Sequence, residues 1–160
     1  PLTKEESFMN KIKKILWPTD FSPLSEKAIE PALTLAEVFE AQIIICHIVS
    51  PMPVSPDVLN FDVTRYEKEM LQAARSNLDR LAQKLREKNP KLQIKTVVEI
   101  GTPAESITQI ATKFAVDLIV ISTHGRTGFN HLLFGSVAER VIRTALCPVL
   151  VVRAQATPQR

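Results

Sequence analysis

Short apolar runs that are typical of buried strands alternate along this chain with longer segments that have helical periodicity. Five strands are predicted, at residues 12–17, 43–48, 92–100, 118–121 and 149–152. Such alternation favours a parallel sheet that is covered by helices on both faces and joined by right-handed crossovers. We therefore predict the α/β class, as a single-domain three-layer sandwich with a five-stranded parallel sheet.

The predicted strands differ in how much of their surface is apolar, and this difference suggests their places in the sheet. The second and fourth are continuously apolar, which indicates burial on both faces. The third alternates apolar residues with Gln93, Lys95 and Glu99, as an edge strand with one solvated face does. The order 3-2-1-4-5 satisfies these constraints and puts the reversal of winding between the first and fourth strands. Open α/β sheets bind ligands at such a reversal. Residues 18–20 and 122–125 are predicted to lie there.

The size and charge of the chain limit the classes of function. Its 160 residues, 45% of them hydrophobic, suit one domain, which we predict at residues 11–153 with tails at 1–10 and 154–160. A net charge of +3, scattered along predicted helices, argues against nucleic-acid binding. The apolar runs are too short to cross a bilayer, and residues 1–10 lack the apolar core of a signal peptide. We expect a cytoplasmic protein with no membrane or nucleic-acid partner.

Proline and capping signals predict where the helices begin. The first should start near Ser22 with Pro23 in its first position, and Pro31 within it should produce a kink. Thr102 and Ser136 each stand three residues before a glutamate, as the N-cap of a capping box does. A helix that starts at Ser136 is expected to continue through residue 145.

Glycines are concentrated directly after the fourth predicted strand. Three of the four in the chain, Gly125, Gly128 and Gly135, lie within eleven residues. Glycine allows the backbone amides to approach an anion, and a helix that begins after Gly135 would direct its positive end toward a phosphate. Arg126 would add charge and Ser136 a hydroxyl. The residues alone leave a second interpretation equally open, in which the glycines turn the chain and Ser136 is an ordinary cap.

Side chains with catalytic or metal-binding potential are sparse. Asp20, at the end of the first strand, suits a hydrogen bond from a base amino group or a metal contact, although it could simply bond the following turn. Cys46 and Cys147 lack metal or redox spacing and are expected to be buried, reduced packing residues. The chain contains no Walker A, G-x-G-x-x-G or G-x-S-x-G motif. Structural or exposed roles are expected for the histidines, His47, His124 and His131.

Three segments resemble the universal stress protein family. Residues 14–22, KILWPTDFS, are similar to the family's opening strand and turn. Residues 122–136 resemble its nucleotide motif G-x2-G-x9-G-S/T, and residues 147–152, CPVLVV, resemble its closing strand. The resemblance extends over residues 11–153 and implies an adenine nucleotide alpha hydrolase-like fold. Two departures are Ser122, where the motif begins with glycine, and Ala138, which has no hydroxyl to offer a phosphate.

The resemblance implies a nucleotide site for ATP or AMP, with Mg2+ as a companion of the nucleotide. Asp20 and the backbone of Ile48 would recognise adenine. Residues expected around the base and ribose are Pro18, Thr19, Asp20 and Ile48. Residues expected near the ribose and phosphates are Gly125, Gly135, Ser136 and Val137, and we add Ser122 and Arg126 to the predicted site.

The function that follows is a nucleotide-dependent module in stress response or signalling, without an assigned catalytic residue. Two alternatives remain. One is a nucleotide-free dimeric interaction protein, favoured if the Ser122 side chain blocks the ribose. The other is a weak ATP hydrolase that uses Asp20 with Mg2+, which requires turnover that an Asp20→Ala variant loses while it still binds nucleotide.

The last predicted strand suggests a homodimer. It is apolar on both faces, and at a sheet edge it carries no lysine or mid-strand proline that would discourage pairing. The resemblance implies that this strand pairs across a dimer axis, although residues 1–10 could cover it instead. The predicted interface consists of Pro148, Val149, Leu150, Val151 and Val152.

Overall fold

The computed structural model describes residues 12–51, 62–123 and 135–153. Strands and helices alternate within these ranges, as predicted, and the strand ends differ from the predicted ones by at most two residues. The strands are β1 (Lys14–Pro18), β2 (Gln42–Val49), β3 (Ile94–Ile100), β4 (Leu118–Ser122) and β5 (Val149–Val152). The helices are α1 (Pro23–Glu26), α2 (Ile29–Phe39), α3 (Val63–Lys88), α4 (Pro103–Lys113) and α5 (Ser136–Thr144).

The five strands form one parallel sheet in the order β3-β2-β1-β4-β5, which confirms the predicted order. Ile15 in β1 lies opposite Ile43 in β2 and Leu118 in β4. The winding therefore reverses between β1 and β4, and β3 and β5 form the two edges of the sheet.

Two hydrophobic cores lie on opposite faces of the sheet because successive side chains of a strand point in opposite directions. Ile15 and Trp17 of β1 pack with α2 and α3, whereas Leu16 packs with α4 and α5. All three side chains are fully buried. The continuous apolar runs in β1, β2 and β4 are thus explained by burial on both faces.

The first helical segment differs from its prediction. Ser22 is the N-cap and Pro23 the first residue, as expected, but the helix stops after one turn and a second helix begins at Ile29. Pro31 is the third residue of this second helix, where an amide has no intrahelical acceptor, so it costs no hydrogen bond. The chain is interrupted at residues 27–28 rather than kinked at Pro31.

Neither predicted capping box forms. Thr102 is the N-cap of α4, but its side chain makes no capping bond, and the carboxylate of Glu105 pairs with Arg140 of α5 instead. The N-cap of α5 is Gly135 rather than Ser136. The amide of Gly135 donates to the carbonyl of Thr123, and the N-cap lies one residue earlier than predicted. The helix ends at Thr144, one residue before its predicted end.

The long helix α3 ends before Pro90, as its periodicity predicts, and it buries one face against the sheet. Its buried side chains recur at helical spacing, at Ala74, Leu78, Ala82 and Leu85. Over the ranges that the structure covers, no helix combines the length and the apolar content needed to cross a membrane.

Gly101, between β3 and α4, lies against the side chain of Ser106, which would have to move if Gly101 carried a side chain. A Cβ atom there would lie 2.3 Å from Oγ of the buried Ser106 but 3.7 Å from its Cβ. We expect Gly101→Ala to lower the free energy of unfolding by about 1–3 kcal/mol, measured by urea denaturation. Adding Ser106→Ala removes the clashing atom and should recover most of the loss. A single variant as stable as the parent would contradict this packing.

Candidate functional site

A cavity of about 500 Å³ opens above the carboxyl ends of β1, β2 and β4, where the winding of the sheet reverses. Its volume is in the range of small-molecule sites. Eight of the ten residues predicted for the site line it: Pro18, Thr19, Asp20, Ile48, Ser122, Gly135, Ser136 and Val137. The other two, Gly125 and Arg126, lie outside the described residues, as do Gly128, His124 and His131.

The turn from β1 into α1 forms one wall and is held by buried polar contacts. The hydroxyl of Thr19, which is 5% exposed, accepts a hydrogen bond from the amide of Phe21 at 3.0 Å and lies 3.1 Å from Oγ of Ser25. The indole of Trp17 donates to the carbonyl of Ser25 at 3.2 Å. Oδ1 of Asp20 accepts from the amide of Ser22 at 3.0 Å, which is the local role that the sequence left open.

Phe21 has a left-handed backbone conformation, with φ of 60°. This conformation is uncommon for a bulky residue and costs about 1–2 kcal/mol. It allows the amide of Phe21 to turn back onto Thr19, and the aromatic ring packs on the imidazole of His47 with 4.5 Å between ring centroids. Strain of this kind is concentrated at functional sites in proteins.

The hydrogen-bond ladder between β1 and β2 stops at the floor of the cavity. Its last bond runs from the amide of Thr19 to the carbonyl of Cys46, at 2.9 Å. In a regular parallel ladder, the next two hydrogen bonds would join the Ile48 amide to the Thr19 carbonyl and the Phe21 amide to the Ile48 carbonyl. Instead, the Thr19 carbonyl accepts from Nδ1 of His47 at 2.8 Å, and the Phe21 amide donates to the Thr19 hydroxyl.

This interruption leaves one peptide donor and one peptide acceptor facing the site. In a parallel strand, the N–H and C=O of a residue point to the same neighbour, and the direction alternates along the chain. Cys46 bonds toward β1 and Val49 toward β3, so Ile48 is turned toward β1. Because β1 uses neither group, the N–H and C=O of Ile48, here called the Ile48 peptide pair, are directed to the cavity that Ile48 lines.

The opposite wall contains the start of α5. The amide of Gly135 bonds to Thr123 at 2.6 Å, and the first intrahelical bond is made by the amide of Glu139. The amides of residues 136–138 therefore have no intrahelical acceptor, and the positive end of the helix dipole lies beside the cavity. The φ of Gly135 is −72°, so glycine is not required there for its backbone conformation. Ser122 is buried and pairs with Val152 in β5.

The cysteines provide no nucleophile to this site. Burial raises the pKa of the Cys46 thiol well above its usual range, and desolvation also raises that of Cys147. Cys46 is fully buried, as predicted, but Cys147 is only partly buried because it lies in the turn before the edge strand β5. The described residues contain no cluster of three or more His, Cys, Asp or Glu side chains that could hold a metal ion.

Several residues that line the cavity were not predicted. His47 was expected to be structural or exposed, and Phe21 was assigned only to the turn. The position of His47, next to Ile48 near the carboxyl end of β2, was a usable signal. No local signal marked the contribution of α3, because Met70, Ala73 and Asn77 have the spacing of any helix face.

The family model described as "Universal stress protein family" matches residues 11–153, most of the chain. The chain belongs to the universal stress protein family. This match includes the β1 turn, the Ile48 peptide pair and the start of α5.

Similar proteins support this assignment over nearly their full length. Universal stress protein MJ0531 of Methanocaldococcus jannaschii is 38% identical over 90% of this chain and 84% of its own. The solved structure of MJ0577 from the same organism is 28% identical, with a TM-score of 0.74, over 91% of this chain and 99% of that one. A universal stress protein family member from Arabidopsis thaliana, solved with AMP bound, is 18% identical with a TM-score of 0.61 and covers 90% and 93%.

The Thr19 hydroxyl should contribute more to stability than an exposed hydroxyl of the same residue type. Thr19→Val leaves the Phe21 amide without its acceptor and removes the contact with the Ser25 hydroxyl, which keeps its bond to the Ser22 carbonyl. The free energy of unfolding should therefore fall by about 1–3 kcal/mol. The matched control is Thr34→Val, which removes an exposed hydroxyl bonded to the Glu30 carbonyl and should cost about 0.5 kcal/mol or less. Urea denaturation gives both values, and equal losses would refute the role of Thr19.

Proposed function

We propose that this universal stress protein binds an adenine nucleotide, ATP or AMP, in the cavity above β1, β2 and β4. The observation that carries the proposal is the position of two complementary groups on one cavity. The Ile48 peptide pair lies at the end of β2, and the first amides of α5, which have no intrahelical acceptor, lie at the other wall. A base and a phosphate require these two kinds of partner.

The Ile48 peptide pair has the polarity that the Watson–Crick edge of adenine requires. Adenine N1 accepts a hydrogen bond and its N6 amino group donates one, so the Ile48 N–H would bind N1 and the C=O would bind N6. Pro18 and Ile48 provide apolar contacts for the faces of the base. Oδ1 of Asp20 already accepts a hydrogen bond from the amide of Ser22, and we place Asp20 beside the ribose or beside the amino group of the base.

The phosphates are assigned to the start of α5. The amides of Ser136, Val137 and Ala138 offer three donors at the positive end of the helix, and Pro103 at the start of α4 lies on the same cavity. Gly125 and Arg126 remain predictions for this part of the site. A nucleotide-bound relative of the same fold, the Arabidopsis protein with AMP, supports the class of ligand.

We propose that the protein functions by binding the nucleotide rather than by hydrolysing it. Asp20 is the one acidic side chain among the described lining residues, so any Mg2+ would enter with the phosphates of ATP. None of the lining side chains is assigned as a general base. The proposed role is therefore a module in stress response or signalling whose state depends on bound nucleotide.

The binding proposal is tested by calorimetric titration of nucleotide-free protein with ATP and AMP in the presence of Mg2+. We expect saturable binding that is lost in Gly135→Trp, because the indole would fill the space beside the α5 amides. The control is Thr112→Trp, an exposed position near the far end of α4, which should bind as the parent does. Absence of binding by the parent would contradict the proposal and favour a nucleotide-free interaction protein. A phosphate-release assay would show any turnover.

We also propose a homodimer formed through β5. This strand pairs with β4 on one side, and it has large apolar side chains that remain accessible, with Leu150 38% and the preceding Leu146 89% exposed. An edge of this kind favours pairing with another strand. Pro148, Val149, Leu150, Val151 and Val152 would form the interface.

Sedimentation at micromolar concentration tests the dimer. The parent should sediment as a dimer, and Leu150→Lys should shift it to a folded monomer, because a buried charge at the interface has no partner. Val38→Lys changes an apolar side chain on α2 that is 64% exposed and should leave the dimer intact. A parent that is monomeric would contradict this interface.

A further inference from the structure

The ring of His47 is hydrogen-bonded to the Thr19 carbonyl. In a continued ladder, this carbonyl would accept from the amide of the Ile48 peptide pair. We propose that His47 is a positioning residue, whose ring N–H holds the Thr19 carbonyl away from the Ile48 amide and so keeps the peptide pair available to a purine base. The part of this inference that concerns the base rests on the proposed nucleotide function, whereas the part that concerns the open ladder does not.

The geometry of the turn supports a donor role for the ring. A carbonyl oxygen only accepts, so the contact of 2.8 Å between Nδ1 of His47 and the Thr19 oxygen places a proton on Nδ1. The ladder is regular up to this point, since the Thr19 amide still bonds to Cys46. It departs from the parallel pattern at the residue whose carbonyl the ring engages.

A second contact prevents the other half of the ladder from closing. The Phe21 amide, which would reach the Ile48 carbonyl, donates to the Thr19 hydroxyl instead. Phe21 can do so because of its left-handed conformation, and its ring packs on the imidazole of His47. His47 thus acts on both halves, through its N–H on one and through ring packing on the other.

Loss of the ring donor would release the Thr19 carbonyl. The nearest peptide donor in the register is the Ile48 amide, because it is next in the ladder after the Thr19–Cys46 bond. A bond between Thr19 and Ile48 would extend the sheet by one rung and close the donor of the peptide pair. A base would then have to compete with an intramolecular hydrogen bond.

The open peptide pair also predicts which purine is selected. A 6-amino purine presents an acceptor at N1 and a donor at N6, which complement the Ile48 N–H and C=O. A 6-oxo purine such as hypoxanthine presents a donor at N1 and an acceptor at O6, so both contacts become repulsive. Selectivity for ATP over inosine triphosphate (ITP) is therefore the property that His47 should control.

Two variants separate the donor from the packing of the ring. His47→Phe keeps an aromatic ring against Phe21 but removes the N–H. His47→Asn removes the ring but keeps an amide donor at a similar distance from the backbone. The first readout is hydrogen exchange of the Ile48 amide in nucleotide-free protein, and the second is the ratio of ATP to ITP affinity.

In the parent, we expect fast exchange at Ile48 and a preference for ATP over ITP of about tenfold or more. His47→Phe should slow exchange at Ile48 by about tenfold and reduce the affinity for ATP by a similar factor, with ITP affinity little changed. His47→Asn should resemble the parent in both measurements. A ring that acted only by packing would give the reverse order of the two variants.

The two proposals fail in different ways. If the parent binds no nucleotide but the exchange at Ile48 slows in His47→Phe and not in His47→Asn, the proposed function is refuted and the positioning role stands. If the parent binds ATP but Ile48 is protected in the parent, or exchanges equally fast in His47→Phe, the positioning role is refuted. Should one variant fail to fold, the exchange rate in the other still supports or refutes the donor role.

Discussion

β1 hydrogen-bonds to β2 on one side and to β4 on the other, and the rest of the sheet is wound outward from it in two directions. The crossovers on its two sides therefore pass over opposite faces, and the helices diverge above its carboxyl end. A cavity at that point is a consequence of the winding. The residue at which β1 stops hydrogen-bonding to β2 then determines which backbone groups of β2 face the cavity.

A small set of polar contacts determines that position. The hydroxyl of Thr19 receives the Phe21 amide, its carbonyl receives the His47 ring, and its amide still belongs to the sheet. One residue thus terminates the ladder with all of its polar groups used. Because Thr19 is almost fully buried, each of these bonds would be costly to lose, so the turn is held in one conformation. The strained backbone of Phe21 is retained within this set of contacts.

The two walls of the cavity have different physical origins. The wall at β2 offers a donor and an acceptor in fixed register, which suits a flat base with a directional hydrogen-bonding edge. The wall at α5 offers several amides and a helix dipole, which suit a diffuse negative charge rather than one geometry. Ser122 stands between them, buried in the pairing of β4 with β5, where the resemblance to the family leads one to expect glycine. Recognition and charge compensation would therefore be separable by mutation.

The sequence by itself determined the strands, their order in the sheet and the end of the sheet where a ligand would lie, because burial on one or both faces is written directly in the apolar pattern. It also identified eight residues that line the cavity, through their places at strand and helix ends. It did not determine how α4 and α5 are capped, because Glu105 pairs with Arg140 and Gly135 bonds to Thr123 across the fold instead of making local caps. Nor could it reveal His47 as a partner of Thr19. That contact joins the turn after β1 to β2, and only the tertiary structure decides which of several nearby donors bonds to a given carbonyl.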